Sequence, residues 1–250
     1  RRGHLSKFGR TDVGVGVHFS HSPSRSAAAM PPILSESMHL RLFVFAMCFF
    51  TQGLPSGMTS IGLGPWLLAS GCTTERVSAL SALVNLPWGL KVVIAPLVDS
   101  PICGRKFGLR RPWIVFGQFG LLVSLVLLGI ATYGAGIDET LQLLAVLGVI
   151  YTSFNALTSV AVETMAIDLL PHGEKARTNA AMTAGWTVGD AMMGSLSGAL
   201  LPMIHLSGVA TFCALLVLPS LVLMICVVER PSEPENSSSN GASSSSSSSH

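Results

Sequence analysis

From Leu42 to Thr74 the chain carries no charged residue, and apolar side chains dominate the run. Comparable runs recur along the chain, parted by short polar turns. A helix needs about 20 apolar residues to cross the hydrocarbon core of a bilayer. The pattern predicts six spanning helices, at about 40–63, 77–97, 113–133, 141–168, 178–201 and 206–228. The predicted fold class is all-α, a polytopic membrane protein. The charges set deep in these helices are Lys91, Glu163 and Asp190.

The turns follow from Gly, Pro and clustered polar residues. They fall at Gly71–Arg76, Gly134–Glu139, Pro171–Arg177 and Pro202–His205. Within the first helix, Gln52-Gly53-Leu54-Pro55-Ser56-Gly57 predicts a bend, since Pro removes a backbone donor. Such breaks are tolerated where protein or a cavity satisfies the freed backbone groups.

Two polar flanks enclose a transmembrane domain at 39–229. Residues 1–38 are Arg- and Ser-rich and poor in acids. That composition fits an organelle transit peptide, a disordered cytoplasmic arm, or residues upstream of a start at Met30 or Met38. Residues 230–250 are nearly all small and polar, which predicts a disordered cytoplasmic linker or tail.

Composition agrees with the pattern. Charged residues make up 11% of the 250, against roughly 25% in a soluble domain. Mean hydropathy is +0.58. The net charge of +2 is small and its basic residues lie in loops and the N-terminal arm, so nucleic acid is not implied. The five cysteines show no CxxC spacing, and His4, His18 and His21 lack zinc-site spacing. No nucleophile–base pair or metal cluster stands out, so neither an enzyme nor a cofactor is expected. His205 reads as a turn residue at a membrane surface.

The loops after helices two and four hold Arg105, Lys106, Arg110, Arg111, Lys175 and Arg177, while those after helices one, three and five hold only Arg76. Cytoplasmic loops collect Lys and Arg, so both ends are expected in the cytoplasm or its organellar equivalent.

Four motifs occur in one order: Gln52-Gly53-Leu54-Pro55-Ser56-Gly57, Leu86-Pro87-Trp88-Gly89-Leu90-Lys91, Ala95-Pro96-Leu97-Val98-Asp99 and Gly108-Leu109-Arg110-Arg111-Pro112-Trp113. Ala166-Ile167-Asp168-Leu169-Leu170-Pro171 follows, with Glu174 and Arg177. This set resembles the major facilitator superfamily, in the branch that includes bacterial muropeptide permeases and acetyl-coenzyme A transporters. The likeness covers about residues 42–228. Ala95 stands where the general motif has Gly, and the basic loop is longer. The resemblance implies two six-helix halves around a central path, with a site near the midplane. This chain would supply the N-terminal half, and its partner would be a C-terminal half or a second copy. The opening Arg1 and the Ser-rich tail fit the expectation of a fragment.

The resemblance also implies a cytoplasmic gate at Asp99, Arg105, Arg110 and Arg111. A carboxylate at a helix end accepts hydrogen bonds from arginines and can latch one face shut. The alternative is that these cations only set topology and bind anionic lipid. Lys91 either binds an anionic solute or pairs with a carboxylate, or else snorkels to the interface. Asp190 lies about twelve residues into its helix, where a charge costs at least ~2.5 kcal/mol and should face protein or water. It either relays protons or binds solute, or else bonds a neighbouring helix. Gly194 and Gly198 share its face and permit close helix approach. Glu163 and Gln52 complete the candidate path, and Asp168 closes its helix at the interface.

The expected function is half of a secondary transporter for a small polar or anionic solute, working by alternating access, with protons coupled through Asp190 or Glu163. The alternative is a membrane assembly or pigment-handling factor on the same fold. It lacks an array of His in the helices. The helix-five Gly-Pro signature of antiporters is missing, so antiport is not inferred.

Overall fold

The computed structural model describes residues 37–99, 110–170 and 173–227. Arg105, the 1–36 part of the arm and the tail lie outside them. Among the described residues five helices are long and apolar enough to cross a membrane. They are Met38–Ala69 (α1), Thr74–Asp99 (α2), Arg111–Ala131 (α3), Ile137–Leu169 (α4) and Lys175–Cys226. The last is broken at His205, whose φ of 56° and ψ of 178° are not helical. Its two parts are α5 (175–204) and α6 (206–226), so the six-helix reading holds.

Residue pairs give the directions. α1 and α5 run parallel, since Gly185 abuts Ala46, Gly189 abuts Phe50 and Gly62 abuts Ser197. α3 and α6 run antiparallel: Arg111 bonds the carbonyls of Met224 and Ile225, Gln118 bonds Ser220, and Gly129 abuts Ser207 and Thr211. One end of the bundle holds Trp66, Thr132 and His205 around a shared cavity. The opposite end holds the starts of α1 and α5, joined by Arg41 and Glu174 at 2.7 Å.

His205 turns the chain in a backbone region that suits glycine. Such a conformation costs a non-glycine residue of order 1–3 kcal/mol. His205→Gly is therefore expected to raise stability by about 1 kcal/mol, read as thermal unfolding in detergent. A loss of stability would show that the imidazole itself holds the turn.

α1 begins where the Ser37 hydroxyl accepts from the Leu40 N–H at 3.4 Å, a side-chain N-cap. It continues through Pro55 and then widens into a π-helical stretch, Met58–Leu63. The predicted bend takes this form because hydroxyls collect the loosened carbonyls: Thr59 Oγ1 bonds Pro55 O at 2.8 Å and Ser60 Oγ bonds Ser56 O at 2.7 Å. α1 consequently runs to Ala69, six residues beyond the expected end at 63. α2 kinks at Leu90, whose φ of −88° and ψ of 6° interrupt the helix just before Lys91.

The buried apolar residues form two clusters. One gathers Leu54, Met58, Leu121, Leu144, Tyr151, Met193 and their neighbours. The other gathers Phe45, Phe49, Ile114, Leu157, Met165 and Met224. Along α1, α3, α4 and α6, the sequence between the clusters holds a buried polar residue: Gln52, Gln118, Asn155 and Ser220. α2 packs chiefly on α4 and exposes Val92 and Val93. With Leu83, Leu86, Leu90 and Leu97 they make an exposed apolar face that suits contact with lipid tails or a further helix layer.

Candidate functional site

The kink in α2 turns Lys91 toward α4. Its Nζ donates to Ser159 Oγ at 2.8 Å and to Glu163 Oε1 at 3.1 Å. Ser159 donates to the same Glu163 oxygen at 2.8 Å. Ser159 and Glu163 meet because they are four apart on one helix face. The ammonium also sits 4.4 Å from the centre of the Trp88 ring. Trp88 in turn meets Trp186 edge-on, with ring centroids 5.0 Å apart. Trp88 of α2 and Ser159 and Glu163 of α4 thus surround a single cation, with Trp186 of α5 behind the tryptophan.

Exposure decides what this cluster can do. The Lys91 and Glu163 side chains are 26% and 42% exposed. An ion pair this open is worth at most about 1 kcal/mol in water. An arriving anion can therefore take the place of Glu163 on the lysine at small cost. The tryptophan face attracts the ammonium by about 0.5–1 kcal/mol more and fixes its position.

Asp190 lies on α5, one turn beyond Trp186 and partly exposed. Among the described residues its carboxylate has no hydrogen-bond or ion-pair partner. The alternative reading, a side-chain bond to a neighbouring helix, is not formed within the described residues; the Asp190 backbone packs on α1, where a Cβ on Gly57 would meet Asp190 O at 2.0 Å. Of the two glycines on its face, a Cβ on Gly194 would meet the Ile61 side chain while one on Gly198 would meet nothing within 4 Å. Gln52 is buried in α1, and neither polar atom of its side chain has a partner among the described residues.

A second ion cluster forms around Arg110. This arginine donates to Asp99 at the end of α2 and to Asp168 at the end of α4, the latter at 3.0 Å. Burial works against the guanidinium charge, but these two carboxylates outweigh it and raise the Arg110 pKa above its ordinary value. Arg111 points elsewhere and donates to the Met224 and Ile225 carbonyls, capping the end of α6. Sequence reasoning placed Asp168 only at a helix end and missed Ser159, Trp88, Arg41 and Glu174 as partners. The Trp88–Lys91 and Ser159–Glu163 spacings were the available signals, since positions three or four apart share a helix face.

Comparison with known proteins adds the decisive observation. The Major Facilitator Superfamily profile matches residues 26–249. The chain belongs to the Major Facilitator Superfamily. Its six helices are accordingly those of an integral multi-pass membrane protein of a transporter family. It is 26% identical over 168 residues to the anhydromuropeptide permease of Escherichia coli strain K12, covering 65% of this chain and 33% of the permease. An uncharacterised protein of Haemophilus influenzae is 24% identical, covering 79% of this chain and 45% of that protein. An uncharacterised membrane protein of Saccharomyces cerevisiae is 31% identical over 81 residues, covering 32% of this chain and 14% of that protein. The aligned region spans less than half the length of each of these relatives.

Proposed function

We propose that this chain is the N-terminal half of a secondary active transporter that moves a small polar or anionic solute by alternating access. The supporting observation is the Lys91–Ser159–Glu163 cluster on its tryptophan wall, a weakly held cation inside a membrane-spanning fold. The solute's anionic group binds Lys91 after displacing Glu163. A proton on Glu163 neutralises the carboxylate, cancels its hold on the lysine and leaves the ammonium to the solute. One proton then accompanies one anionic group. Asp190, without a partner among the described residues, is the second candidate proton carrier. The Asp99–Arg110–Asp168 latch closes the cytoplasmic face, and Arg105 belongs to the same basic loop. Both chain ends lie on that side.

The test is uptake by the full-length protein reconstituted in liposomes, with labelled anhydromuropeptide as the first solute because similar proteins carry that name. Lys91→Ala is expected to cut uptake more than about tenfold through loss of one charge-assisted contact. Glu163→Gln is expected to abolish accumulation against a gradient while leaving solute exchange largely intact. If Asp190→Asn does this and Glu163→Gln does not, the proton site moves to Asp190. Wild-type uptake by Lys91→Ala would remove the cluster from the solute path.

A further inference from the structure

The seam between α1 and α4 carries polar groups that the protein does not pair. Gln52 Oε1 and Nε2, Asn155 Oδ1 and Tyr151 Oη are all buried without a hydrogen-bond partner among the described residues. The three residues are neighbours. Asn155 Nδ2 donates to the Gln52 backbone carbonyl at 3.0 Å, and Tyr151 lies one turn before Asn155. Thr59 and Thr152 are the polar neighbours of the phenol, but neither meets it in hydrogen-bonding geometry.

Each unpaired buried polar atom costs about 1–3 kcal/mol. Four along one seam is a cost that a stable fold does not carry. Within a bilayer, lipid cannot relieve it. Water can, where a site is polar, has room for the molecule and offers it two to four partners.

The two ends of the seam are also polar. Tyr151, Asn155, Ser159 and Glu163 recur at every fourth position of α4 and form one continuous ridge. The ridge runs from the level of Thr59 to the lysine cluster. Thr59 itself lines a cavity of about 430 Å³ between α1, α2 and α4, together with Ser60, Ser78, Ser81 and Asn85. Thr59 belongs to the π-helical stretch of α1. Such widened turns occur frequently at functional sites.

We propose that the α1–α4 seam binds a chain of ordered water molecules on Tyr151, Gln52 and Asn155, joining the Thr59 cavity to the Lys91–Ser159–Glu163 cluster. The chain gives Glu163 a proton route inside this half, separate from the solute path. A proton enters as hydronium in the cavity and is passed between waters. The Ser159 hydroxyl accepts it and gives its own proton to Glu163 Oε1, so every hydroxyl and water is regenerated. The proton-delivery role rests on Glu163 as the proton site proposed above; the bound water does not.

Hydroxyl-radical footprinting of the purified chain in lipid nanodiscs tests the seam without any transport assay. Radicals form from water beside the labelled side chain, so a buried but hydrated tyrosine is modified and a dry residue is not. Tyr151 is expected to be oxidised at least about tenfold faster than equally buried Phe45, and to approach exposed Tyr133. Labelling of Tyr151 as slow as that of Phe45 would show a dry seam and overturn the proposal. In Gln52→Leu and Asn155→Leu, Tyr151 labelling is expected to fall several-fold while Tyr133 stays unchanged. Unchanged Tyr151 labelling in both folded variants would also overturn it, since the water would then be held elsewhere. The wild-type measurement decides the matter even if a variant fails to fold. Hydration without proton-coupled uptake would leave the seam standing and remove only its role in transport.

Discussion

Gly57→Leu is expected to give little or no folded protein. The reason is the closeness of α1 and α5. A Cβ on Gly57 would lie 2.0 Å from Asp190 O and 2.8 Å from Gly194 N. One on Gly53 would lie 2.4 Å from Trp186 O. From the other side, a Cβ on Gly189 would lie 2.2 Å from Phe50 O and one on Gly185 2.3 Å from Ala46 O. All of these contacts are with backbone, which has no rotamer to change. The helices must separate along their whole seam to admit one side chain. Overpacking a core costs about 1–3 kcal/mol even where neighbouring side chains can move, so the loss here should reach or exceed the top of that range. Gly198→Ala is the matched control, because a Cβ there meets nothing within 4 Å. It should be neutral or slightly stabilising, since Ala favours helix over Gly by about 1 kcal/mol. The measurement is the yield of monodisperse protein and its thermal unfolding in detergent. Equal behaviour of the two variants would mean that α1 and α5 do not pack this closely.

Arg110→Met should produce the second large loss. Arg110 is 11% exposed, while Asp99 and Asp168 are 55% and 48% exposed. Removing the cation leaves two carboxylates facing each other at the mouth of the bundle. Breaking a fully buried pair costs about 3–5 kcal/mol. Both acids here reach solvent, so the expected cost is nearer about 1–3 kcal/mol. The three helix ends of α2, α3 and α4 should loosen together. Arg110→Lys should recover only part of the loss, because a point charge does not present the guanidinium's rigid fork to both carboxylates. Adding Asp99→Asn to Arg110→Met should recover more, by removing the like-charge contact. Thermal unfolding of the four proteins at low and high salt measures each step. An Arg110→Met variant as stable as wild type would reduce this cluster to a marker of topology.

The spans and the turns within the described residues were legible because bilayer thickness imposes a length and the low dielectric excludes charge. Those constraints act on local sequence, so they can be read one segment at a time. The His205 turn was marked by Pro202 and by His205 itself, although α5 and α6 run into one another with no loop between them. Lys91 and Glu163 stood out as charges in apolar helices, yet nothing local joined them. Their meeting depends on the kink at Leu90 and on the packing of α2 against α4, 72 positions away in sequence. The same holds for Arg110 and Arg111. Adjacent in sequence and alike in chemistry, they point about 100° apart on a helix and find different partners. Gly57 and Gly198 read alike as small residues, and only the packed helices show that one is filled by a backbone carbonyl and the other is open. Local solvent physics decided where the chain crosses the membrane; which side chains meet there was decided by helix packing, whose contacts join residues far apart in sequence.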